Sequence, residues 1–340
     1  MNTTPSQKQP VQSESLDTEY TLSSKENKTK QEDIHSNTNN RISYSQYSIW
    51  ANCPLSWKLR YVDKIKFDDN TINLIFGTAM HEVIQEWLEQ YHYAGKDTQA
   101  KSIDLGEPLK QKFITLFQEN TTIDANGNKV FLCDKKTLME FYNQGCEILS
   151  YIQQHRSKIF PSKDTVLAGI EYPIETEVRP GVTFIGYVDI ITKNEKTGKV
   201  TIIDLKTSRA GWTQAQKSDH IKLNQILLYK KFISEKFNTP LEMIGTEFII
   251  LKRTISENSP YPIPRVSTFE PSNGKPSVNR AWGHIEAFLN ECFDGEGNYR
   301  TDLIKATPSK DACKYCVYKD KEVYCSESFY KIKKVKVLNG

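Results

Sequence analysis

The chain has 340 residues, enough to bury a sizeable core in one elaborated domain or two. Its 45 Lys+Arg against 42 Asp+Glu leave a net charge of +3, too small an excess to indicate a nucleic-acid partner by itself. No apolar run reaches membrane-spanning length and the N-terminus reads as neither secretory signal nor transit peptide, so a cytoplasmic, reducing compartment is expected, where seven cysteines are thiols or metal ligands rather than disulfides.

Residues 1–40 are almost devoid of apolar side chains and are predicted to form a disordered tail. Ser43-Tyr44-Ser45 then offers hydroxyl caps ahead of aromatic residues, and Pro54 interrupts the segment before residues 55–62. Tyr44, Tyr47, Trp50, Trp57 and Tyr61, interleaved with Lys58 and Arg60, have two readings: a stacking surface for single-stranded nucleic acid, or the core of a helical hairpin. Residues 76–93 read as a helix, because Met80, Val83, Ile84, Trp87, Leu88 and Tyr91 fall on one stripe. Helices at 109–119 and 135–155 flank a turn around Asn126-Gly127-Asn128. The period then changes to two, which predicts strands at 166–177, 183–192 and 199–207. A helix at 219–236, a near-continuous apolar strand at 243–251, a Pro-rich connection at 260–264, a short strand and a helix around 278–293 complete the pattern. There is no internal repeat and no G-x-x-x-x-G-K-[ST] phosphate loop, which argues against a motor ATPase.

The chemistry concentrates at Asp204-Leu205-Lys206. In a strand, Asp204 and Lys206 share a face while Leu205 turns into the core. Asp189 closes the preceding apolar run, and a turn at 193–199 would bring both carboxylates and the lysine together. Two acids at one point are tolerated when a divalent cation lies between them, and a lysine beside them can support charge on a phosphate or on an attacking water. The pattern therefore suggests metal-dependent phosphodiester hydrolysis, against the plain alternative of a solvated strand end.

A second group comes from cysteine spacing. Cys313-Lys314-Tyr315-Cys316 is a C-x-x-C loop, and Cys325 follows after eight intervening residues. A fourth ligand is needed and Cys53 is the candidate; on spacing alone, four cysteines favour zinc. Cys133, Cys146 and Cys292 lack paired spacing and are expected to be buried thiols. The basic run 331–336 could touch phosphate or be a solvated end, and no helix-turn-helix or zinc-finger reader is evident, which favours sequence-independent binding.

Four motifs in order resemble the PD-(D/E)XK nuclease superfamily, in particular its RecB-like branch with the AddB-type recombination nucleases and CRISPR-adaptation exonucleases. They are Gly77-Thr78-Ala79-Met80-His81, Gly186-Tyr187-Val188-Asp189, Ile203-Asp204-Leu205-Lys206-Thr207 and Gln225-Ile226-Leu227-Leu228-Tyr229. The resemblance implies an α/β fold with a restriction-endonuclease-like core, a mixed sheet flanked by helices, plus a helical N-terminal arm and a Cys-rich C-terminal metal-binding segment. It implies one nuclease domain over 41–330, with its two halves joined by a metal cluster, followed by a basic tail at 331–340. It also implies that His81, Asp189 and Asp204 bind Mg²⁺ or Mn²⁺ with the Leu205 carbonyl, and that Lys206 positions water or stabilises the transition state. Gln225 and Tyr229 would line the site, and Glu171 falls where the family often has a further acid, although Glu175 and Glu177 share its alternating face. His81 remains readable as a helix-boundary residue, and the Gln225–Tyr229 pair as a polar edge.

The segment from Ser43 to Tyr61 around Cys53-Pro54 resembles the N-terminal cysteine segment of the branch's iron–sulfur members. The likeness turns the Cys53, Cys313, Cys316 and Cys325 set from zinc toward a 4Fe–4S cluster that staples the chain ends. The function so implied is a metal-dependent DNA exonuclease acting on single strands or free ends in recombination, repair or phage/CRISPR DNA processing, with a helicase or integrase as possible partner. The rivals are a non-catalytic DNA-binding adaptor of the same fold, a site-specific endonuclease, and a zinc-stapled structural protein.

Overall fold

A computed structural model describes residues 40–67, 70–256, 259–300 and 304–329. The predicted basic tail, and the predicted disordered tail up to residue 39, lie outside the described residues. Asn40 does not belong to that tail. It opens a strand, β1 (Asn40–Ser43), its N–H donating to the Gly181 carbonyl at 2.8 Å and its side chain to the Gly297 carbonyl at 2.7 Å.

Ser43 caps α1 (Tyr44–Asn52), accepting from the Gln46 N–H, and Pro54 opens the short α2 (Pro54–Trp57) where its missing N–H costs nothing. The predicted helix at 76–93 begins earlier, as α3 (Ile72–Trp87), because Thr71 supplies a side-chain cap to Leu74 N–H. Its last turn widens over Leu88–His92, where Tyr93 N–H reaches the Leu88 carbonyl. Met80, Val83, Ile84, Trp87 and Leu88 are each at most 1 % exposed, and burying such side chains contributes about 1.5–3 kcal/mol apiece.

The helical arm continues with α4 (Asp97–Ser102) and α5 (Gly106–Glu119). A two-stranded hairpin, β2 (Thr122–Ile123) and β3 (Lys129–Val130), stands where only a turn was expected, and α6 (Lys135–Gln154) and α7 (Arg156–Ile159) follow. The chain then enters β4 (Thr165–Arg179), β5 (Val182–Asn194) and β6 (Val200–Ser208). It passes α8 (Gln214–Lys217) and α9 (His220–Lys236), then β7 (Ile244–Lys252), β8 (Val266–Phe269), α10 (Lys275–Cys292) and α11 (Lys310–Lys314).

One six-stranded sheet is mixed: β5 pairs antiparallel with β4 and β6, β1 runs parallel to β5, β6 runs parallel to β7, and β8 returns antiparallel. On one face, Ile190, Ile203, Leu205, Ile249 and Leu251 pack with α3, α5 and α6 residues. On the other, Phe184, Val188, Ile202, Phe248 and Ile250 pack with α1, α9 and α10 residues. The mixed sheet flanked by helices is the predicted fold class. No helix among the described residues is long and apolar enough to cross a membrane.

The arm aromatics belong largely to the core. Tyr47 and Trp57 are 1 % and 0 % exposed and meet Phe288 edge-on. The stacking-surface reading fails for these two, because α10 covers them.

Candidate active site

The sheet has a gap, and the gap is where the predicted residues meet. On one edge of β5, β1 pairs with Val182–Ile185 and β6 pairs only with Ile190–Lys193. Gly186-Tyr187-Val188-Asp189 lies between these two pairings. Beyond Ile203 the β6 strand leaves β5, so its Leu205 N–H needs another acceptor. The Asp189 carboxylate supplies it, with Oδ2 accepting from Leu205 N–H at 2.7 Å. The acid thus splices two diverging strands while turning the rest of its carboxylate toward the opening.

Residues from both helical layers enter this opening. His81, on α3, lies with Nδ1 3.6 Å from Asp189 Oδ2, and its ring faces the Leu205 carbonyl. From α9, Gln225 accepts at Oε1 from Lys206 Nζ at 3.0 Å and donates from Nε2 to the Tyr229 hydroxyl at 3.2 Å. Lys206 Nζ also lies 2.8 Å from Asp204 Oδ2, as expected for two residues on one face of a strand. Gly186 leaves the room for Tyr229: a Cβ there would come within 3.0 Å of the tyrosine ring. Gly77 is less demanding, since a Cβ would make an ordinary 3.4 Å contact with Thr207 Oγ1.

Glu171 separates itself from Glu175 and Glu177. Its backbone sits in the left-handed region, φ 46°, between the Ile170–Ile190 and Tyr172–Val188 pairs. Its Oε1 accepts from Gln85 Nε2 at 2.6 Å, and the same nitrogen lies 3.1 Å from the Asp189 carbonyl. Glu175 instead pairs on the surface with Arg41. Gln85 was missed from sequence, although its position four residues after His81 places it on the same helix face.

Burial pushes Asp189 and Asp204 up to about 6 each, even though Lys206 pulls both down. Burial likewise lowers His81, with Lys206 adding to the effect, so its ring is neutral and free to ligate. Burial alone would lower Lys206, but Asp204 and Asp189 beside it hold its pKa above the ordinary value. Two carboxylates thus face one lysine, with Glu171 a further acid near Asp189 and His81. Asp204 is 1 % exposed and its Oδ1 has no hydrogen-bond partner among the described residues. No three His, Cys, Asp or Glu side chains among the described residues form a ready-made cation cage. The excess negative charge, the neutral imidazole and the orphaned carboxylate oxygen nevertheless fit a hard divalent cation.

The four predicted cluster cysteines lie near one another at the far end of α1, and no three of them form a ready-made metal cage. Cys53 caps that helix; the Cys316 and Cys325 thiols are each raised by burial, and Cys53 and Cys313 lie close enough to both to add to the effect. Tyr318 donates to the Ile65 carbonyl at 2.6 Å, and Thr307 to the Asn52 carbonyl at 3.3 Å, so the C-terminal segment rests on the N-terminal arm. Of the other thiols, Cys292 is fully buried, whereas Cys133 and Cys146 are only half-buried, contrary to expectation.

With this geometry in view, a family model described as the PD-(D/E)XK nuclease superfamily matches residues 41–321. No curated protein matches the chain.

Proposed function

The chain belongs to the PD-(D/E)XK nuclease superfamily, and on that premise we propose that it is a metal-dependent DNA exonuclease of the RecB-like branch, acting on single strands or free ends. The observation that carries the reading is the meeting of Asp189, Asp204, Lys206 and His81 in the gap between β5 and β6. Residues 41–330 are taken as one nuclease domain, and a cytoplasmic setting with a helicase or integrase partner is compatible with it.

In this reading Asp189, Asp204, His81 and the Leu205 carbonyl would hold Mg²⁺ or Mn²⁺, with Glu171 as a further carboxylate. A bound divalent cation supplies an activated water and positive charge against the scissile phosphate. Lys206 stays protonated and aims Nζ at the charge that develops on the phosphate oxygens. Gln225 holds that ammonium from the α9 side and is itself braced by Tyr229. Cys53, Cys313, Cys316 and Cys325 would hold a 4Fe–4S cluster, with structural zinc as the alternative.

Incubating end-labelled single- and double-stranded DNA and a closed circle with Mn²⁺ tests activity and substrate together. Loss of terminal label from linear DNA, with the circle intact, is expected. A discrete cut pattern in the circle would favour a site-specific endonuclease, and no hydrolysis at all would favour a DNA-binding adaptor.

The carboxylates also give a pH signature. Their folded pKa values lie above the unfolded ones, so the metal-free fold retains these protons more readily than the unfolded chain. The pair therefore costs no stability below about pH 4; the cost grows as pH rises to about 6 and then levels off. Because a cation binds the ionised pair, the rise in melting temperature on adding Mn²⁺ should be small near pH 4.5 and full above about 6.5. Scanning calorimetry with and without Mn²⁺ measures this, and a pH-independent shift would contradict it.

A further inference from the structure

A cleft of about 430 Å³ adjoins the gap on the α9 side. Lys206 and Gln225 line it, together with Tyr44, Ser48 and Asn52 from α1 and Trp212 from the segment after β6. Neither the candidate metal ligands nor the cysteine cluster accounts for this space.

Its walls have a defined chemistry. The Tyr44 hydroxyl donates to the Ile221 carbonyl at the start of α9, which fixes the ring as a wall. The Trp212 ring is seated from behind by Phe248, at 4.9 Å between centroids, and by Phe269 at 6.3 Å. Ser48 and Asn52 add short polar groups to the lining. The adjoining segment is basic: Lys252 lies against Gly211, and its ammonium is lowered by burial and by Lys217 nearby. Asp219, the acid in the cleft lining, is paired with Lys222 at 3.4 Å.

The geometry points to a subsite for one nucleotide of a single nucleic-acid strand, its base against Trp212 and its phosphodiester led past the basic segment to Lys206. This inference rests on the nuclease reading above and adds where the strand lies and what holds it. The volume falls within the range of small-ligand pockets, roughly 300–1,000 Å³, and suits a nucleotide rather than a stacked base pair. An aromatic face beside cations binds bases without reading their sequence, because every base offers a π-face. A duplex would have to surrender its end base pair to enter. The cleft thus favours single strands or frayed ends.

Filling the cleft tests the assignment. Ser48→Trp places an indole between the walls from the partly exposed side of α1. Affinity for a fluorescein-labelled oligothymidylate, read by anisotropy without added divalent cation, is expected to fall about tenfold or more. In Mn²⁺, the ratio of kcat/KM on that strand to kcat/KM on bis(p-nitrophenyl) phosphate should fall by a similar factor. Trp212→Ala should behave alike, with Trp212→Phe recovering much of the loss. Unchanged strand affinity in both Ser48→Trp and Trp212→Ala would overturn the subsite, whether or not the protein is active. A wild-type protein that binds strands through the cleft yet hydrolyses neither substrate would instead overturn the nuclease reading.

Discussion

Asp204→Asn is expected to lower hydrolysis by at least about 10²–10³-fold while leaving the thermal midpoint of the metal-free protein unchanged or higher. The two halves of this expectation have one cause. Asp204 is 1 % exposed, burial raises its pKa to about 6, and Oδ1 has no partner, so its charge at neutral pH is held against a desolvation cost. An amide of the same shape removes that cost. Lys206 loses its ion pair but keeps Gln225 Oε1 at 3.0 Å, and its side chain is 31 % exposed, so water can solvate it. Destabilising groups that persist in a fold tend to sit at functional sites, and stability gained by removing them is matched by lost activity. Lys206→Ala should lose hydrolysis to a similar extent, with strand binding largely retained because the Trp212 and Tyr44 walls of the cleft remain. Steady-state kinetics, anisotropy and calorimetry on the two variants decide the matter. A fall of several degrees in melting temperature for Asp204→Asn, with activity retained, would make the residue structural.

Cys53→Ala is expected to have the largest effect on stability. The residue lies at the end of α1, near Cys316 and Cys325 of a C-terminal segment more than 250 positions away, and in the proposed cluster it would tie the two together. A cross-link closing so long a loop removes roughly 4–5 kcal/mol of unfolded-chain entropy, so its loss should cost stability on that order. The Tyr318–Ile65 and Thr307–Asn52 hydrogen bonds and the Phe67 ring contacts remain, so the segment should loosen rather than detach. Anaerobically purified wild-type protein should show broad visible absorption and four irons per chain. The variant should be colourless, melt lower and lose residues 304–329 to limited proteolysis. Stoichiometric zinc in a colourless wild-type protein would replace the iron–sulfur centre with a zinc staple. Equal melting temperatures would remove the staple altogether.

Different physical signals explain which parts were legible. The α3 stripe was readable because a buried face imposes its period on the sequence, and β5 and β6, buried on both faces, were readable as apolar runs bounded by turn residues. β1 was not readable: four residues leaving a polar tail are too few to show alternation, and the strand exists only because the edge of β5 accepts it. Glu171, Glu175 and Glu177 were degenerate, since alternation cannot rank three acids on one face. The positive φ at Glu171 and its bond to Gln85 break the tie. The arm aromatics were ambiguous because stacking platforms and cores use the same residue types, and α10 decides for Tyr47 and Trp57. Trp212 gave no signal, lying in a segment without periodicity.

By itself the sequence determined the main helices and strands and the chemical types available to the site: two acids and a lysine spaced to meet, a histidine added by the family resemblance, and a separate cysteine set. These are local facts, written in side-chain alternation and helical spacing. Only the tertiary structure decided that β5 and β6 part company after Ile190 and Ile203, leaving an opening between two packed layers. That opening lets His81 approach from one face and Gln225 from the other, and it leaves Asp189 to bond the Leu205 N–H that the ladder gave up. Strand divergence depends on which partners claim each edge, a long-range competition for hydrogen bonds that no sequence window contains.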